Sequence, residues 1–289
     1  MLCSAVLFAG MALSIRLASD AGQHAFQIAF FRNFFGLIFA LPLLLRSGFG
    51  LLRTQRLPLY FVRCLIGLGA MLTGFWALVH LPLADAIALS YTTPLFVTIG
   101  AVWFLGEVVR VRRWSAIAIG FVGALIILRP GFQHFSEASW IALLSAVLSA
   151  SAAINVKFLS RTEPAGAIVI YMVLIMTPLS LLPALSVWQW PSPMAWLWLT
   201  LTGLFGTLAH IALTKAYQMG DVSLLQPVNF VQLPVVALAA WFLFDEAVDR
   251  YTIVGAIIIV AAISYMGHRE ASLRRRQITD QATASEIHR

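Results

Sequence analysis

Residues 77–107 read ALVHLPLADAIALSYTTPLFVTIGAVWFLGE, and residues 216–246 read AYQMGDVSLLQPVNFVQLPVVALAAWFLFDE. The two stretches are equally long. Each leaves one apolar run, crosses a very short loop, takes in the whole of the next run and ends on a glutamate, in WFLGE at 103–107 and WFLFDE at 241–246. Each encloses a proline, Pro94 or Pro234, whose distance from the glutamate differs by one residue. A weaker match pairs Arg16, near the end of the first apolar run, with Lys157, near the end of the sixth. The chain therefore reads as a duplication.

Working outward from these stretches, the apolar runs number ten, at 2–18, 24–45, 59–80, 84–106, 113–129, 138–158, 165–187, 195–217, 222–244 and 251–267. A helix crosses about 30 Å of hydrocarbon with about 20 apolar residues, so each run is a candidate membrane span. The composition agrees: 61% of the 289 residues are hydrophobic and 11% are charged, against about 25% charged in an ordinary soluble domain. That excludes a soluble enzyme, a disordered chain and a nucleic-acid-binding module. Strictly alternating short strands are absent, so the expected fold is an all-α integral membrane bundle and not a barrel. Residues 2–13 are preceded by no basic residue, which favours a first span over a secretory leader.

Ten spans divide as five plus five. An odd number sends the second half into the membrane from the opposite side, giving two inverted five-helix repeats, expected at 1–134 and 135–268, with a basic, disordered cytoplasmic tail at 269–289. Inverted repeats place a substrate site at their interface near the midplane and supply two near-equal conformations for alternating access. With the N-terminus inside, every lysine and arginine except Arg16, Arg32, Arg129 and Arg250 falls at an inner loop or in the tail, Arg63 among them. The positive-inside rule then predicts two cytoplasmic termini. Trp188, Trp190, Trp196 and Trp198 would form an outer aromatic belt.

The layout and its motifs, together with LRPG at 128–131, resemble the drug/metabolite transporter superfamily of the EamA-domain type, over residues 4–267. Within it the sequence looks most like the YddG group of bacterial aromatic and neutral amino-acid exporters. The resemblance implies a monomeric carrier of the bacterial inner membrane with a central cavity, handling a small-molecule substrate amid membrane lipids and binding no nucleic acid. The second half departs from the family pattern, with Asp245 before Glu246 where glycine is common.

Polar groups within spans normally face the bundle interior or a water-filled cavity. Thr73, Trp76 and His80 share one face of span 3, and Thr207, His210, Thr214 and Tyr217 share one of span 8. Ser90, Tyr91, Thr92 and Thr93 precede Pro94. Gln226, Pro227, Asn229 and Gln232 precede Pro234. Proline frees a carbonyl about one turn earlier, which membrane helices tolerate where the backbone is buried in protein or lines a cavity. The expected cavity residues are Trp76, His80, Tyr91, Thr93, Trp103, Asn155, His210, Tyr217, Gln226, Asn229 and Gln232. Pro94, Pro227 and Pro234 are expected hinges, with a plain structural kink as the alternative. Glu107 and Glu246 read as structural caps for the positive ends of following helices. Arg32 could hold a substrate carboxylate or snorkel; the resemblance implies a structural role for it.

No Asp or Glu falls in the middle of a span, so a buried acid is not the expected coupling device. The cysteines, Cys3 and Cys64, lie in spans and suggest neither a disulfide nor a metal site. HExxH, GxSxG and a P-loop are absent, so neither an enzyme, an ATPase nor a cofactor is expected. The sequence reading is a secondary carrier that exports small amphipathic solutes, aromatic and other neutral amino acids foremost. The alternatives are a carrier of other metabolites or drugs, a channel and a lipid scramblase.

Overall fold

The computed structural model describes residues 1–80, 89–128, 136–232, 234–236, 238, 250–251, 253–262 and 264–265. The regular structure of the described residues is all helical: α1 (Leu2–Asp20), α2 (Ala25–Ser47), α3 (Leu57–His80), α4 (Thr93–Leu105), α5 (Val111–Leu128), α6 (Glu137–Ser160), α7 (Ala165–Leu185), α8 (Pro193–Met219), the short α9 (Val222–Leu225) and α10 (Ile253–Ala262). Two 3-10 turns, Phe49–Leu52 and Gln226–Val231, complete the order. Six helices, α1 to α3 and α6 to α8, are long and apolar enough to cross a membrane, while α4, α10 and the Trp114–Ile126 part of α5 are shorter apolar helices. The expected spans 84–106, 113–129, 222–244 and 251–267 run partly outside the described residues, and Glu246 and the tail from 269 lie outside them.

The helix ends follow local chemistry. Ser192 opens α8 by accepting from Ala195 N at 3.2 Å, with Pro193 in the first turn, where a missing N–H costs nothing. Ser136 and Ser139 form a capping box at the start of α6, and Lys157 stands in its last turn. Gly106 closes α4 at φ 67°. That left-handed conformation suits glycine and lets Glu107 N donate back to Ala101 O at 3.1 Å.

Small residues set how closely the helices pack. Helix α1 lies along α8 and α3 along α6, while α2 packs on α7 and α8. Between α3 and α6, Ser145 Oγ donates to Ala70 O at 2.8 Å, and a Cβ on Gly74 would stand 2.8 Å from that same Oγ. Between α2 and α8, Gly203 lies directly against Phe35 and the backbone N of Gly36. Ser4 Oγ ties α1 to α8 through Ala209 O at 3.1 Å.

The two ends of the bundle differ. At one, Phe30, Phe31 and Phe35 pack with Trp188 and Trp196, and Gln27 clasps the backbone of Gln189 through both amide atoms, at 2.6 and 3.1 Å. At the other, Glu163 accepts from Thr54 Oγ1 at 2.8 Å and from the Tyr60 hydroxyl at 3.3 Å, and the Tyr171 hydroxyl donates to Leu52 O.

Candidate functional site

A cavity of about 610 Å³ lies among α1, α2, α3, α4, α6, α7, α8 and the 3-10 turn after α9. Regular helical spacing builds its walls. Helix α3 contributes Arg63, Gly67, Ala70 and Met71, and α6 contributes Ser149, Ala152, Ala153 and Val156, both at the i, i+3/4, i+7 spacing of a single helix face. Phe8 and Met11 come from α1, Met172 and Met176 from α7, and His210 and Tyr217 from α8. The remaining wall is the broken stretch Ser90, Tyr91, Thr93 and Pro94, with Gln226, Asn229, Gln232 and Val236 facing it from the second half.

The polar groups of this wall are organised. Asn229 Nδ2 donates to Gln226 Oε1 at 3.0 Å, and Gln226 Nε2 donates to the Tyr217 hydroxyl at 3.2 Å. This relay bridges the change from α-helix to 3-10 turn and satisfies the amide of the fully buried Gln226, as burial requires. Tyr91 stacks on Phe230 at 5.5 Å between centroids, and Phe230 in turn packs on Gly120 of α5. His210 meets the Phe8 ring edge-on at 5.2 Å. Of the prolines expected as hinges, Pro94 sits in the first turn of α4 and Pro227 in the first turn of the 3-10 turn. Thr98 Oγ1 donates to Pro94 O at 2.8 Å.

Of the residues expected in a cavity, Tyr91, Thr93, His210, Tyr217, Gln226, Asn229 and Gln232 line this one. Three do not. Trp103 is 77% exposed on the outside of the bundle. The buried face of α4 carries Pro94, Val97, Thr98 and Ala101, and two residues past Ala101 is a rotation of about 200°. Asn155 lies off the α6 wall face and donates to Ser151 O at 2.9 Å. Trp76 is half-buried, away from the stripe of α3 that ends at Met71. The His80 side chain lies outside the described residues.

Two arginines face the cavity. Arg32 lines the cavity and is 9% exposed. Its Nη1 donates to Asn33 Oδ1 at 2.8 Å, and Asn33 is held by Ala29 O and Ser180 Oγ. Arg63, expected at an inner loop, lies inside α3, is 5% exposed and faces the same cavity. Sequence proximity to the basic loop masked it; the signal that could have placed it is its position in register with Gly67 and Ala70. Glu107, expected as a cap, reaches the start of α9, where its Oε1 accepts from Val222 N at 2.8 Å. Lys157 closes the same corner, donating to Tyr217 O and Gly220 O at 2.5 and 2.6 Å.

A model of the EamA-like transporter family matches residues 1–129 and again residues 137–267. The chain belongs to the EamA-like transporter family. It is a multi-pass membrane transporter and not an enzyme. A riboflavin transporter of Vibrio cholerae is 36% identical over 78% of this chain and 76% of its own length. An S-adenosylmethionine uptake transporter of Rickettsia bellii is 31% identical over 88% of each chain. A pseudopaline exporter of Pseudomonas aeruginosa is 30% identical over 84% of this chain and 86% of its own. One crystal structure, 21% identical, superposes with a TM-score of 0.79 over 96% of this chain and 98% of the other, a likeness of fold. Amino-acid export, expected from the sequence, gains no support from these names.

Proposed function

We propose that this EamA-family protein is a secondary carrier of the bacterial inner membrane, with both termini cytoplasmic, working by alternating access between two inverted five-helix halves. Its substrate is a flat heteroaromatic metabolite of the flavin or nucleoside-like class, taken into the cavity beside Tyr91 and His210. The observation that carries this reading is the cavity itself. Its volume of about 610 Å³ falls in the range of about 300–1,000 Å³ usual for drug-sized ligands, generous for a single amino acid. Its Phe, Tyr and Met walls suit an apolar plane, and its amide relay suits ring heteroatoms. The relatives named for riboflavin and S-adenosylmethionine point to the same chemistry.

The pairing of helices supports the inverted arrangement. With α1 to α5 and α6 to α10 as the halves, α1 packs on α8, the counterpart of α3, and α6 packs on α3. A two-fold relation between the halves produces that reciprocity, and the odd number of spans in each half is what places its axis in the membrane plane. The amino-acid reading remains the second one, because the same aromatic and neutral polar wall could hold an aromatic amino acid.

The test is counterflow in proteoliposomes without ATP, with labelled riboflavin, S-adenosylmethionine and tryptophan. Saturable counterflow of riboflavin or S-adenosylmethionine is expected. Counterflow of tryptophan alone would move the assignment to amino acids. Movement of ions or lipid with none of the three would replace the carrier by a channel or scramblase.

A further inference from the structure

The wall of the cavity holds two guanidinium groups and, among the described residues, no carboxylate. Arg32 and Arg63 come from different helices, are each less than one-tenth exposed, and face the same space. Their positive fields act on each other and on His210. A guanidinium carries five N–H donors, and buried charges are normally paired. Here Arg32 donates to Asn33 Oδ1 at 2.8 Å, and Arg63 Nη1 reaches Met176 Sδ, a poor acceptor, at 3.5 Å. Arg63 Nε is buried with no hydrogen-bond partner.

The pair is built in. Asn33, fixed by Ser180, orients Arg32, and Gly206 leaves it room: a Cβ there would stand 3.0 Å from Arg32 Nε. Among the described lining residues, the two guanidinium groups meet no carboxylate of the protein. They match the bidentate geometry of a carboxylate or phosphate.

We infer that Arg32 and Arg63 form an oxyanion subsite, which receives a carboxylate or phosphate of the substrate while its flat remainder lies toward Phe8 and Tyr91. This rests on the proposed function and adds a group that strengthens binding within that class: riboflavin lacks one, whereas S-adenosylmethionine and riboflavin 5′-phosphate carry one.

The experiment compares binding to the purified transporter within two matched pairs. S-adenosylmethionine and its decarboxylated form differ by a carboxylate. Riboflavin 5′-phosphate and riboflavin differ by a phosphate. In at least one pair the oxyanion-bearing member should bind about tenfold or more tightly, the scale of a charge-assisted hydrogen-bonded contact, and the pair that shows it separates carboxylate from phosphate. Arg32→Gln and Arg63→Gln should each erase most of that advantage, and the binding of riboflavin, which is neutral, should stay within about twofold. Equal binding within both pairs, or an advantage that survives both substitutions, overturns the subsite.

If the Gln variants do not fold, Arg63→Lys keeps the charge and loses the fork. A reduced advantage then supports the subsite and an unchanged one overturns it. If none of the four compounds binds, the proposed substrate class falls, and the subsite is tested alone with acetate and inorganic phosphate. Thermal stabilisation of the wild type that is lost in Arg63→Lys supports it; no stabilisation overturns it.

Discussion

At the scale of single residues, the cavity wall depends on a few contacts with measurable weight. Tyr217→Phe removes the acceptor of the Gln226 amide in a fully buried position. Leaving such a donor unsatisfied costs about 1–3 kcal/mol, so the variant should unfold earlier in detergent than wild type; an unchanged unfolding curve would mean that the relay carries no weight. Tyr91→Ala should raise the transport KM by removing a wall that Phe230 supports from behind. Gly203→Ala and Gly206→Ala make a contrasting pair on α8. The first presses on the Phe35 and Gly36 backbone and should destabilise by about 1–3 kcal/mol, as overpacking does. The second presses on the flexible ends of Arg32 and Met11 and should lower transport with a smaller loss of stability. Thermal unfolding beside a counterflow assay separates the two. Different causes lie behind the site residues that the sequence misplaced. Trp103 and Asn155 were picked as residue types suited to a cavity, whereas helix rotation decides which side chains face inward; Trp76 was picked for the face it shares with Thr73 and His80, and the cavity is lined instead by Arg63, Gly67, Ala70 and Met71. Arg63 was assigned by its nearness to a basic loop, although α3 already begins at Leu57.

At the scale of elements, the spans were legible because length and hydropathy are set by the bilayer and not by neighbours. The ends of α1, α2, α3, α6, α7 and α8 agree with the expected spans to within two residues. The change of helix type at Gln226 was legible only as a proline in polar company. The tie across it was not, because it depends on tertiary placement: Glu107 at the end of α4 caps α9, and Lys157 of α6 holds the carbonyls of Tyr217 and Gly220. These contacts close one end of the bundle between the two proposed halves, so they should set the balance of conformations. Lys157→Met is expected to shift that balance away from the closed end, seen as faster labelling of cysteines placed near Gly220 by an impermeant thiol reagent. Labelling at the wild-type rate would make the tie a structural fastener only.

At the scale of the whole molecule, the scarcity of charge acquires a second meaning. Few acids and many apolar residues announce a membrane protein, and most of the basic residues sit near loops, where they would set orientation. Among the described residues, Arg32 and Arg63 lie within helices and face the cavity, so part of the scarce charge stands where a substrate would bind. The family match in two blocks and the reciprocal packing of α1 on α8 and α6 on α3 fit a cavity that opens alternately to either side.

The most direct measurement places a single cysteine at Ser149, a cavity-wall residue, in a background where Cys3 and Cys64 are replaced. An impermeant thiol reagent is applied to oriented proteoliposomes from one side or the other. Alternating access predicts labelling from both sides and slower labelling when riboflavin or S-adenosylmethionine is present. Labelling from one side only, at a rate that neither compound changes, would contradict it.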